Sequence, residues 1–284
     1  MASVAGITPG KGGALYLSGK PRPLGRGKRF AVTSVVAALA ILLSVRIAAS
    51  GAIDWPIVGS FMLHPAILDG LLMTLELTAL AMIVGVLLGI LLAVMAVSRY
   101  PAVQAASHLY VWVFRGTPLL VQLIFWFNIA LVFPVVGIGP WQIPINTLVT
   151  PFAAALLGLG LNEAAYMAEI VRAGISSVDK GQSEAGISVG MSEGQVMRHV
   201  VLPQAFRRML PPLGNNAISL LKDSSLISAI GLAELAYAAR TVAGAYSRYW
   251  EPYLTISLLY WILTLGLAYA VKTLELRHGR GDSR

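Results

Sequence analysis

The chain has 284 residues and a formal charge of +8, with 57% hydrophobic and only 12% charged residues, and its mean hydropathy is +0.74. Soluble domains are about a quarter charged, so a water-facing globule is excluded, as is disorder away from the ends. There is no cysteine, which removes disulfide frameworks, thiolate metal sites and cysteine nucleophiles.

Lys and Arg collect at the ends and in loops between apolar runs. That is the pattern of membrane topology and excludes nucleic acid as a partner. Crossing about 30 Å of hydrocarbon takes about 20 mostly apolar residues. Six segments qualify, at 30–50, 70–97, 109–136, 149–175, 213–235 and 253–272. The predicted fold class is all-α, a polytopic membrane protein with six transmembrane helices.

Residues 1–29 read as a flexible, glycine- and proline-rich tail carrying Lys11, Lys20, Arg22, Arg26, Lys28 and Arg29 with no acid. The positive-inside rule puts this end in the cytoplasm, and six spans return the 274–284 tail to the same side. The first apolar run is expected to be retained as a helix. Small residues Ala49 and Ala52 also suit signal cleavage, but the leader is long and Arg46 interrupts the run.

In the second span Ala81, Gly85, Gly89 and Ala93 recur every four residues, a small face on which another helix can approach. Glu76 near its outer end reads as a structural or surface residue rather than part of a pathway. The third span contains Phe114-Arg115-Gly116-Thr117-Pro118. Proline lacks an N–H and disfavours helix at the residue before it, so a break is predicted at Gly116 to Pro118. Arg115 beside it either faces a polar pathway or caps the carbonyls freed by the break. In the fourth span Asn162, Tyr166 and Glu169 share a stripe, with Glu163 close by. Glu169 is placed to pair with Arg172, which leaves Glu163 as the better pathway candidate. The fifth span carries Lys222, Asp223 and Ser224. Three helices thus bring charge to similar depths, the signature of a polar pathway or of a fixed ion-pair network. His64, His108, His199 and His278 are too scattered for a metal site or a triad. Ser18-Gly19-Lys20-Pro21 lacks the first glycine and the hydroxyl residue of a phosphate loop.

The loop 179–205 reads as two short helices, the second opened by a Ser192/Gln195 capping box, with a sharp turn at Gly190. A hairpin this small does not fold alone and should dock into a partner. Glu184 and Ala185, then Gly190, Val200, Leu202 and Pro203, stand at the spacing of the coupling motif of ABC importer permeases, which this loop resembles. Gly186 occupies the place where that family usually has a second alanine. Phe114 to Gln122, Ala165 to Arg172, Lys180-Gly181-Gln182 and Leu221 to Leu226 resemble the polar amino-acid branch of the family, over about Leu71 to Tyr269.

The resemblance implies a type I importer core of five helices over 66–273, preceded by an extra helix at 30–50 that lies outside the match. It implies a permease subunit of an ATP-driven amino-acid importer in the bacterial inner membrane. Expected partners are a second permease subunit, identical or sister, two ATP-binding subunits that hold ATP and Mg, and an extracytoplasmic amino-acid-binding protein. No catalytic residue, metal or cofactor is expected in this chain. Glu184, Ala185, Gly186, Gly190, Leu202 and Pro203 are the expected coupling residues. Arg115, Asn162, Glu163, Tyr166, Lys222, Asp223 and Ser224 are the candidate pathway residues. The rival reading is an ion-coupled secondary transporter, which would need no docking hairpin.

Overall fold

A computed structural model describes residues 7–9, 15–17, 26–139 and 141–278. It divides into two compact units, 1–53 and 54–284. In the first, β1 (Ile7–Pro9) pairs antiparallel with β2 (Leu15–Leu17), and α1 runs over Arg26–Ala49. The helix starts before the predicted Phe30, so Lys28 and Arg29 stand on its first turns. The β1–β2 pair also falls within the predicted 1–29 tail; the tail's other residues lie outside the described residues, as do positions 279–284 of the predicted C-terminal tail.

The second unit is built from helices. After α2 (Trp55–Phe61) come α3 (Pro65–Ala96), α4 (Pro101–Gly116) and α5 (Leu119–Phe127). A 3-10 turn, a small hairpin of β3 (Val135–Val136) and β4 (Ile143–Pro144), and α6 (Ile145–Leu148) lead into α7 (Pro151–Ser176). The loop forms α8 (Lys180–Ser188) and α9 (Glu193–Val196). A π turn over Met197–Val201 passes into α10 (Leu202–Asp223). A 3-10 segment, Ser224–Ile230, precedes α11 (Leu235–Tyr246) and α12 (Trp250–His278).

Among the described residues four single helices are long and apolar enough to cross a membrane, and two bent pairs bring the number to six. The bent pairs are the third and fifth predicted spans. α4 and α5 meet at 102°, and the helical run Glu193–Ile230 meets α11 at 51°. The first bend follows from Thr117 and Pro118, both in extended backbone between the helices. The second falls at Gly231, which has φ +82. The third predicted span also ends early: its apolar residues after Phe127 go into a 3-10 turn and β3 rather than a longer α-helix.

α3 lies along α7, and Ala81, Gly85, Gly89 and Ala93 are all buried, as the small face predicts. A side chain at Gly89 would collide with Met167 of α7. The core around Leu77, Leu123, Leu159, Leu220 and Ile227 ties α3, α5, α7, α10 and the 3-10 segment together at the height of the first bend.

Candidate functional site

At that height a cavity of about 530 Å³ opens between three elements. The break supplies Arg115, Gly116, Thr117, Pro118 and Leu119, α7 supplies Asn162, Glu163 and Tyr166, and α10 supplies Asn216, Ser219, Leu220 and Asp223.

The break is held by amides. Gln122 Nε2 donates to the carbonyls of Phe114 (2.9 Å) and Thr117 (3.1 Å) and to Thr117 Oγ1 (2.8 Å). Asn162 Nδ2 donates to the Phe114 carbonyl (3.0 Å) and to Gln122 Oε1 (3.2 Å). The Phe114 carbonyl, which Pro118 cannot pair, is therefore capped by Gln122 and Asn162 rather than by Arg115. Its guanidinium lies over the Tyr166 ring, 5.3 Å from the centroid, and 4.0 Å from Glu169 Oε2. Glu169 is held mainly by Arg172 through two contacts, at 2.5 and 3.0 Å, the structural pairing expected from their spacing.

Glu163 is only 4% exposed. Its carboxylate accepts a hydrogen bond from Asn216 Nδ2 across the α7–α10 contact, and its stem packs where a side chain at Gly85 would stand. Asn216, Ser219 and Asp223 repeat at helical spacing and share one face of α10. Adjacent positions point elsewhere: Lys222 is exposed and does not line the cavity, and Ser224 is fully buried with its hydroxyl on the Leu221 carbonyl at 2.7 Å. The structure thus gathers Arg115, Asn162, Glu163, Tyr166 and Asp223 and leaves Lys222 and Ser224 outside. Asn216 and Ser219 were missed, although their spacing from Asp223 was a readable signal.

Glu234 was also missed. It is fully buried, caps α11 by accepting from Ala236 N (2.9 Å) and Tyr237 N (2.8 Å), and accepts from the Tyr260 hydroxyl at 3.2 Å. Only the folded chain puts Tyr260 of α12 beside it.

The loop takes the predicted shape. Asp179 accepts from Gly181 N at 2.7 Å to start α8, and Ser192 and Gln195 form the reciprocal capping box of α9. Gly190 turns the chain at φ +87, a backbone conformation that side chains resist. Glu184 and Ala185 are exposed, whereas Gly186 is buried against Val196. Leu202 and Pro203 open α10, so the second arm runs without interruption into the helix that lines the cavity. A cluster of Val178, Val196, Val201, Ala205 and Met209 ties the loop to the ends of α7 and α10, and Arg208 donates to the Ser177 carbonyl. The loop is thus packed onto the ends of both helices. Among the described residues no cluster of His, Asp and Glu suits a metal ion.

The family described as binding-protein-dependent transport system inner membrane component matches residues 85–278. The chain belongs to this family. The permease is 39% identical over 267 residues to the arginine transport system permease protein ArgU of Corynebacterium glutamicum, a match covering 93% of this chain and 84% of that one. Such a share is not reached without α1, so the similarity extends beyond the five-helix core in which the sequence resemblance was seen. The arginine transport system permease protein ArtQ of Bacillus subtilis is 36% identical over 218 residues, 77% of this chain and 94% of that one. In structure, the permease matches a crystal structure of an amino acid ABC transporter with histidines at a TM-score of 0.68 and 40% identity, over 75% of this chain and 94% of that chain. The permease is thus the membrane component of an ABC importer, with ATP hydrolysis on a separate partner and a binding protein that delivers the substrate. This leaves the ion-coupled secondary transporter without support.

Proposed function

We propose that this permease imports an amino acid with a polar side chain, and that the cavity at the α4–α5 break is the site the substrate passes. The observation that carries the reading is the lining: a cation, Arg115, on one wall and two carboxylates, Glu163 and Asp223, on the others, around about 530 Å³. An amino-acid zwitterion needs a cation for its carboxylate and acceptors for its ammonium, and ionic groups within a spanning segment normally face such a pathway or the protein interior. The relatives named for arginine transport agree with this class.

The working assembly is two permease subunits, two ATP-binding subunits holding ATP and Mg, and one external binding protein, in the bacterial inner membrane with both termini cytoplasmic. Closure of the ATPases moves the loop around Glu184, Ala185, Gly186 and Gly190. The uninterrupted path from α9 through Leu202 and Pro203 into α10 then shifts Asn216 and Asp223 against Glu163. The test is uptake of radiolabelled arginine and of other amino acids by the reconstituted complex, with Glu163→Gln and Arg115→Gln. Each substitution is expected to lower uptake at least about tenfold, the equivalent of about 1.4 kcal/mol, with normal assembly. Unchanged kinetics in both variants would remove these residues from the pathway.

A further inference from the structure

Between α5 and α7 the chain makes an excursion that the transport reading does not use. From Gly116 to Asn162 the sequence contains no charged residue and no histidine. Within this stretch the β3–β4 hairpin is fastened at its root, where Ile145 N donates to the Pro134 carbonyl at 2.9 Å and Val135 and Val136 pair with Pro144 and Ile143. Its turn depends on Gly137, at φ +123, where a side chain would run into the Trp141 carbonyl. Ile138 is 89% exposed and Trp141 82% exposed. Two large apolar side chains, Ile138 and Trp141, therefore stand outward at the tip of the hairpin.

We infer that this hairpin is a membrane-seating element, lying in the interfacial layer of the leaflet at the end of α7 opposite the α8–α9 loop. Three observations carry this. The root is six residues from the start of α7, a membrane span, and a tip about four residues beyond the root reaches at most about 13 Å, so Ile138 and Trp141 stay near the bilayer surface. The hairpin is continuous in sequence with exposed apolar residues at the end of α5 and beyond it, Phe127, Leu131 and Phe133, so the apolar surface does not stop at the helix end. A surface meant for a soluble partner carries a polar rim, and this stretch offers no charged side chain for one. Depth is limited by the backbone: unpaired N–H and C=O groups are too costly in hydrocarbon, and only two rungs of the hairpin are paired. The layer that accepts both its apolar side chains and its wet backbone is the headgroup region, where tryptophan is enriched.

The absence of native cysteine makes a direct test possible. Ile138→Cys, labelled with an environment-sensitive fluorophore, is placed with its partner subunits in bilayer nanodiscs. Quenching is then compared for a headgroup nitroxide lipid, a nitroxide deep in the acyl chain, and aqueous iodide. Strong quenching by the headgroup nitroxide, weaker quenching by the deep one, and iodide quenching several-fold below that of free dye is the expected result, with or without the binding protein. Iodide quenching equal to that of free dye and no effect of either lipid would overturn the inference. Protection from iodide that appears only on adding the binding protein would also overturn it and make the hairpin a docking surface. Insensitivity to all three quenchers, which would bury the tip between subunits, overturns it as well. Trp141→Lys, read by the same label, is expected to raise iodide access, and no change would count against the seating role.

Discussion

Val196 of α9 occupies the space that a side chain at Gly186 of α8 would need: a Cβ there would lie 2.9 Å from Val196 Cγ2. The two arms of the coupling hairpin are thus pressed together at the one position where this sequence has glycine in place of the alanine usual in the motif. Gly186→Ala should push the arms apart, an overpacking cost of about 1–3 kcal/mol. Lower substrate-stimulated ATPase activity is expected, with recovery in the double variant Gly186→Ala and Val196→Ala. An unaltered rate in the single variant would mean that the contact yields freely.

Gln122 and Asn162 together hold the α4–α5 bend by capping carbonyls at the break. Replacing Gln122 with leucine removes its donors to the Phe114 and Thr117 carbonyls, and a hydrogen bond of this kind contributes about 0.5–1.5 kcal/mol. The expected outcome is a lower melting temperature in detergent together with reduced uptake, because Arg115 sits on the same bend. Asn162→Leu should act in the same direction, and the pair should depart from additivity, since the two side chains share a hydrogen bond and both cap the Phe114 carbonyl.

Glu163 packs directly on Gly85. Gly85→Ala drives a methyl group into the carboxylate's stem and should weaken the α3–α7 contact, whereas Gly59, with open space around the position of a Cβ, should tolerate alanine. Thermal unfolding of the two variants side by side checks this. Equal stability would show that α3 and α7 adjust at little cost.

Glu234 closes the first turn of α11 and takes the Tyr260 hydroxyl. Glu234→Ala removes a helix cap worth about 0.5–2 kcal/mol and strands the hydroxyl. Glu234→Gln keeps one acceptor oxygen and is expected to lose less. The order alanine below glutamine below the unaltered chain in melting temperature is the outcome to look for.

Arg99 and Glu193 lie 3.7 Å apart with side chains 92% and 86% exposed. Exposed pairs contribute about 0–1 kcal/mol, so Arg99→Ala should leave stability unchanged within measurement, and a large loss would mean that this pair is covered in the assembled transporter.

The sequence by itself determined the membrane class, the spans as apolar runs, the break at Pro118 and the capping box at Ser192, because each rests on local chemistry: hydrophobic length, a missing N–H, a side chain within three residues. It also placed Glu163 and Arg115 at similar depth, since depth follows from counting residues along a helix. Tertiary structure alone decided which polar groups meet. Asn162 ties down the bend, Asn216 rather than Lys222 faces Glu163, and Glu234 is a buried cap, because those roles depend on helix rotation and on neighbours tens of residues away. A turn of about 100° per residue separates Lys222 from Asp223, and only packing against α7 fixes which of the two looks into the cavity.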